Sequence, residues 1–111
     1  MSADLTRAAF LILLSLADRN RHGLGIMDEV ESRTDGAVRL GPGTLYGTLK
    51  RLAGDGLVEV AVEPPDPTDD DPRRRYYRLT APGRSALAEE AEHLQRLVTV
   101  AQHKRVLPER V

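Results

Sequence analysis

The chain has 111 residues, which reads as one domain, and with 41% hydrophobic, 30% charged and only 4% aromatic residues its core must come mostly from Leu, Val, Ile and Ala. A formal net charge of −1 removes whole-chain basicity as an argument for a nucleic-acid partner, so any such case must rest on a local patch. The absence of cysteine excludes disulfides and thiolate metal sites and suits a reducing cytoplasm, and the longest apolar run, Ala8 to Leu14, is too short to span a bilayer.

The opening MSADLTR carries an acid, and no cleavage pattern follows the apolar run, so no signal peptide is expected. Asp4 or Thr6 can cap a first helix running to about Leu16 or Ala17. Leu5, Ala8, Ala9, Ile12, Leu13 and Leu16 form its core stripe, while Phe10, Leu11 and Leu14 lie off it. A helix apolar nearly all round expects burial on both faces. A short monomer rarely covers both faces of its first helix, so a dimer is expected; the alternative is a helix central within one subunit. The stretch DRNRHGLG, Asp18 to Gly25, reads as a polar turn. A second helix follows, from about Gly25 to Arg33, with Ile26, Met27 and Val30 inward and Thr34, Asp35 and Gly36 ending it.

The stretch LGPGTLYGTLKRLAGDGL, Leu40 to Leu57, predicts a short helix with two defined ends. Gly41, Pro42 and Gly43 open it, because proline in the first turn has no hydrogen bond to lose. Gly54 and Gly56 close it, because glycine readily takes the left-handed conformation that ends helices. Leu45, Leu49 and Leu52 make one narrow apolar stripe. The opposite face holds Thr44, Gly47, Thr48 and Arg51, flanked by Tyr46 and Lys50, and no acid occurs from Arg39 to Gly54. A small, hydroxyl-bearing, cationic face can enter a DNA major groove and reach phosphates and base edges. The plainer alternative is a surface helix that happens to lack acids. Two helices joined by a short glycine-containing turn, the second with a polar-basic face, form the helix-turn-helix pattern.

Leu57 to Val62 reads as a β-branched strand and Arg75 to Leu79 as its hairpin partner. Between them Glu63 to Arg74, EPPDPTDDDPRR, holds four prolines and four aspartates and reads as an exposed loop. A hairpin directly after a helix-turn-helix makes a winged helix, with this loop as the wing tip. Tyr76 and Tyr77 fall on opposite faces of the strand, so one is expected on the core and the other toward a partner. Thr80 caps the last helix, Pro82 suits its first turn, and Pro108 limits it near Arg105. Leu87, Ala91, Leu94, Val98 and Ala101 repeat at heptad spacing, widened by Leu97 and Val100, which is the geometry of helix pairing.

Asp66, Asp69, Asp70 and Asp71 suggest either a divalent-cation site or a solvated acidic loop, and the loop is favoured because no EF-hand spacing is present. Beside Arg73, Arg74 and Arg75, those acids can also mask the arginines. His22, His93 and His103 are too scattered for a metal trio. No Ser-His-Asp set, carboxylate pair or phosphate loop is found, so no enzyme, cofactor or metal is expected.

In this order, the pieces resemble the PadR family of bacterial transcriptional regulators, in the smaller subfamily with a single C-terminal helix. The matching stretches are HGLGI from His22, LGPGTLYGTLKRLAGDGLVE from Leu40 and RRRYYRLTAPGRSAL from Arg73. The resemblance implies a mostly α fold with a small β-hairpin: a winged helix-turn-helix over residues 1–80, a dimerisation helix over 81–107 and a tail over 108–111. It implies a cytoplasmic homodimeric repressor, released by a small effector, that binds a double-stranded operator through Thr44, Tyr46, Gly47, Thr48, Lys50, Arg51, Arg73, Arg74 and Arg75. It places the dimer interface on the first and last helices, through Phe10, Leu14, Leu87, Ala91, Leu94, Val98 and Ala101. Two departures stand out: Leu24 where relatives often carry an aromatic, and a wing longer and more acidic than usual. Binding of flat aromatic drugs between tryptophans does not carry over, since this chain has no Trp. The rival reading is a winged-helix protein-interaction module that dimerises without binding DNA.

Overall fold

The computed structural model describes residues 5–61 and 74–109. In chain order the elements are α1 (Arg7–Ser15), β1 (Arg21–His22), α2 (Gly23–Arg33), α3 (Pro42–Gly54), β2 (Val58–Val60), β3 (Tyr76–Leu79) and α4 (Ala81–His103). Side-chain caps set three helix starts. Thr6 Oγ1 accepts from the Ala9 N–H at 3.1 Å for α1, His22 Nδ1 from the Gly25 N–H at 3.1 Å for α2, and Thr80 Oγ1 from the Gly83 N–H at 3.0 Å for α4. Gly56, at φ +76°, turns the end of α3 into β2.

Helices α1, α2 and α3 pack on one another over a single core. Ile12, Leu13, Ile26, Val30, Leu45 and Leu49 are all at most 2% exposed. Each such side chain contributes roughly 1.5–3 kcal/mol when fully removed from water. Ser15, also buried, donates its Oγ to Ile12 O at 2.6 Å. Helix α4 closes the core through its first turns: Leu87 is 6% exposed, and a Cβ at Gly83 would overlap the Leu57 carbonyl. Thr80 fixes this junction by donating its Oγ1 to Gly56 O at 2.6 Å.

The sheet differs from the expected hairpin. It has three antiparallel strands in the order β1-β3-β2, with Arg21 opposite Tyr77, His22 opposite Tyr76, and Val58, Glu59 and Val60 opposite Leu79, Arg78 and Tyr77. The segment read as a polar turn therefore supplies a two-residue strand. Arg21 holds it in place. Its Nε donates to Ser15 O at 2.7 Å, and its guanidinium reaches the carboxylates of Asp18 at 3.3 Å and Glu29 at 3.6 Å. At Asp18, desolvation works against the charged form, but hydrogen bonds from its own backbone and from Arg21 outweigh it and hold the carboxyl below its ordinary range. The extra strand also corrects the reading of the two tyrosines. Both are buried, Tyr77 at 9% against the core and Tyr76 at 7% beneath the His22 ring.

Helix-turn-helix followed by a small antiparallel sheet is the winged-helix arrangement, and α4 extends beyond it. Among the described residues no helix is long and apolar enough to cross a membrane. The expected wing tip, including Asp66, Asp69, Asp70, Asp71 and Arg73, lies outside the described residues.

Candidate functional site

The surface of α3 divides into two arcs. Leu45, Thr48, Leu49 and Leu52 form the buried one. Leu45, Leu49 and Leu52 recur at core spacing, and Thr48 falls at the border of their arc. Thr48 is 7% exposed, which corrects its expected place on the outer face: its hydroxyl side chain leans into the core margin and is not available to a partner. The outer arc comprises Gly43, Thr44, Tyr46, Gly47, Lys50, Arg51, Ala53 and Gly54, all exposed.

The floor of this arc is glycine. A Cβ placed on Gly43, Gly47 or Gly54 would meet nothing within 4 Å, so no contact inside the chain explains these residues. An interior helical glycine such as Gly47 costs about 1 kcal/mol relative to Ala. The result is a smooth strip of helix backbone bordered by Thr44, Arg51, Lys50 and Tyr46, with no acid on the helix.

A groove of about 560 Å³ adjoins α3 and is lined by His22, Gly23, Leu24, Tyr46, Arg74, Arg75 and Tyr77. It brings Tyr46, Arg74 and Arg75 together, although they are far apart in sequence. Tyr46 is 48% exposed and its ring closes over Gly23, where a Cβ would overlap the phenol oxygen. Gly23 thus lets α3 approach the N-terminus of α2. Arg74 NH1 lies 3.2 Å from His22 Nε2. Leu24, the departure noted above, is 53% exposed at the groove edge.

His22 is the residue that sequence reading missed. It looked like a surface histidine, yet it caps α2, pairs with β3 and contacts Arg74. The available signal was its place directly before Gly23 at a helix start, where a side chain that accepts a hydrogen bond acts as a cap.

The residues expected at a dimer interface fall into two groups. Leu14, Leu94 and Val98 are exposed at 43%, 38% and 45%, with Leu97 at 50% and Val100 at 48% beside them. Ala91 is exposed, and Phe10 and Ala101 are half-buried. Leu87 belongs to the core of its own subunit, because the first turns of α4 pack on α1 and beneath β2; it is removed from the interface set. A second cavity, about 570 Å³, lies between α1 and α2 and is lined by Leu11, Leu14, Ala17 and Val30 with Asp18, Glu29 and Arg33 at its polar side. Among the described residues no three His, Asp or Glu side chains gather where they could hold a metal ion.

A family model described as the transcriptional regulator PadR-like family matches residues 12–89. The chain is 38% identical over 86 residues to a transcriptional regulator of Mycobacterium tuberculosis, an alignment covering 78% of this chain and 74% of that one. It is 39% identical over 90 residues to a 37.1 kDa transposon protein of Streptomyces fradiae, of which it spans only 24% while 81% of this chain is covered. Among solved structures it resembles a PadR family transcription regulator from Clostridium difficile, with a TM-score of 0.73, 23% identity and coverage of 88% of this chain and 97% of that one. At that identity the likeness concerns the fold.

Proposed function

The chain belongs to the PadR-like family of transcriptional regulators, a family of regulators and not of enzymes, and from that premise we propose that it is a cytoplasmic homodimeric repressor that binds a duplex operator. The observation that carries the DNA-binding part is the outer arc of α3: exposed, acid-free, floored by glycine and bordered by Thr44, Tyr46, Lys50 and Arg51. A helix with no side chain along its centre can approach base edges closely, while Arg51 and Lys50 reach bases or phosphates. Arg74 and Arg75 would meet the flanking backbone. Arg73 is part of the same proposal.

The homodimer is supported by the second half of α4. Leu94, Leu97, Val98 and Val100 form an exposed apolar surface on a helix whose first turns are already packed. Leu14 and the α1–α2 cavity offer a second apolar surface. In this reading residues 1–80 bind DNA, and 81–107 bind the partner subunit through Ala91, Leu94, Val98 and Ala101, with Phe10 and Leu14 from α1. Two recognition helices would then enter major grooves one turn apart, about 34–36 Å. Repression, and release by a small effector, enter the proposal from the family alone.

Selection of bound fragments from the source genome identifies the operator. A titration of binding to random duplex against salt tests the class of function: phosphate contacts give a steep log–log slope. The rival protein-interaction module is favoured by the net charge of −1. Absence of any salt-dependent duplex binding would select it.

A further inference from the structure

The imidazole of His22 is committed on both sides. Nδ1 faces the Gly25 N–H at 3.1 Å, and Nε2 faces Arg74 NH1 at 3.2 Å. A neutral imidazole has a single acceptor nitrogen, and a guanidinium only donates. Capping of α2 assigns the acceptor role to Nδ1 and therefore places the proton on Nε2. Nε2–H and an Arg74 N–H are then two donors directed into the same small space. The ring is not free to turn away. It stands edge-on to Tyr76 at 5.3 Å between centroids and 83° between planes, Tyr76 is itself buried, and β1 is paired to β3 on either side.

That space opens into the groove lined by Tyr46 and Arg75, and none of the described residues lining it is acidic. Two fixed donors that converge on one point suit an oxygen able to accept from both and carrying negative charge. The amino end of α2, directly behind His22, adds the positive end of a helix dipole. We propose that His22 and Arg74 together dock one backbone phosphate of duplex DNA, with the His22 Nε2–H and the Arg74 guanidinium donating to that phosphate. The proposal rests on the DNA-binding reading above and gives it a specific anchor. The wing strand β3 and the start of α2 would grip the backbone as one rigid unit, fixing how deep α3 sits without reading any base.

The test uses the full chain and a labelled duplex of random sequence, measured by fluorescence anisotropy across a salt series. Arg74→Ala is expected to reduce the log–log salt slope by roughly 0.9 per protomer, the signature of one lost phosphate contact. His22→Asn keeps an efficient N-cap but has no donor at the Nε2 position. It is expected to retain the parent melting temperature, weaken binding roughly five- to tenfold and leave the slope nearly unchanged. The double variant is expected to lose less than the product of the two single losses, because both groups serve one phosphate. Long-range ¹⁵N–¹H spectra of the unmutated chain are expected to show the Nε2–H tautomer at His22, with its signals moving on addition of duplex. This arm stands even where a variant folds poorly. An Nδ1–H tautomer, parent-like binding by His22→Asn, or strictly multiplicative losses would each overturn the docking point while leaving DNA binding intact. If the unmutated chain binds no duplex at all, the DNA-binding reading fails first and the docking point falls with it.

Discussion

The outer arc of α3 and the second half of α4 are both exposed helix surfaces, yet they are built on opposite principles. The α3 arc presents glycine backbone, a hydroxyl and cations. The α4 surface presents Leu94, Leu97, Val98 and Val100, each at least 38% exposed. Water solvates the first at little cost and only a polyanion of complementary shape improves on it. Water solvates the second poorly, and several large apolar residues clustered on one helix call for an apolar partner. The contrast teaches that exposure alone says little about function. The chemistry of what is exposed tells which class of partner is missing: DNA for one surface and a second copy of the chain for the other.

The largest expected effect separates the two surfaces directly. Leu94→Asp places a charge in the apolar surface of α4 and should cost several kcal/mol once that surface is covered. Sedimentation should show monomer or unfolded chain. A well-folded monomer of the unmutated protein in the same measurement would break the comparison, since the apolar surface would then need no partner. Next in size is the inner side of α3. Leu45→Ala removes a fully buried side chain and should cost about 2–5 kcal/mol of folding stability, read from denaturant melts. Equal loss from an outer-arc substitution would show that α3 has no free face.

Arg51→Ala is expected to weaken operator binding by about 1–3 kcal/mol, as for one good bidentate contact, with the melting temperature unchanged. Unaltered affinity would mean that the outer arc is not the DNA surface. The smallest effect is the most discriminating. Gly47→Ala should raise stability by about 1 kcal/mol, because the added methyl meets nothing within the chain and alanine is the better helix former. The same substitution should weaken operator binding. Opposite signs in one variant would show that the glycine floor exists for an outside partner; parent-like binding would show that it does not.

Much of the fold was legible because local rules act within a few residues. Pro42 after Gly41 opens α3, Gly56 closes its turn, Thr80 caps α4, and the Leu45, Leu49 and Leu52 stripe identifies the buried side of α3. The acid-free outer face could be read from the same helical period. Thr48 could not be placed, because it lies at the border of that stripe and only the neighbouring packing decides which way a border residue leans. Leu87 and Leu94 share one heptad seam in the sequence, but the first is inside its own subunit and the second is outside. Periodicity gives the face of a helix and not the point along it where intramolecular cover ends.

By itself, then, the amino-acid sequence determined the helices, their caps, the direction of their apolar stripes and the chemical character of α3. Tertiary structure decided the rest. The strand at Arg21–His22 has no pattern two residues long to read; it exists because β3 offers an edge and Arg21 ties the segment to Ser15, Asp18 and Glu29. Alternation along β3 put Tyr76 and Tyr77 on opposite faces, but both are buried because the added strand brings the His22 ring against Tyr76. The meeting of His22 with Arg74, separated by 52 positions in the chain, follows from that same pairing. Helix periods and caps are set by neighbours in sequence, whereas a sheet edge, a border residue and a two-sided histidine are set by neighbours in space.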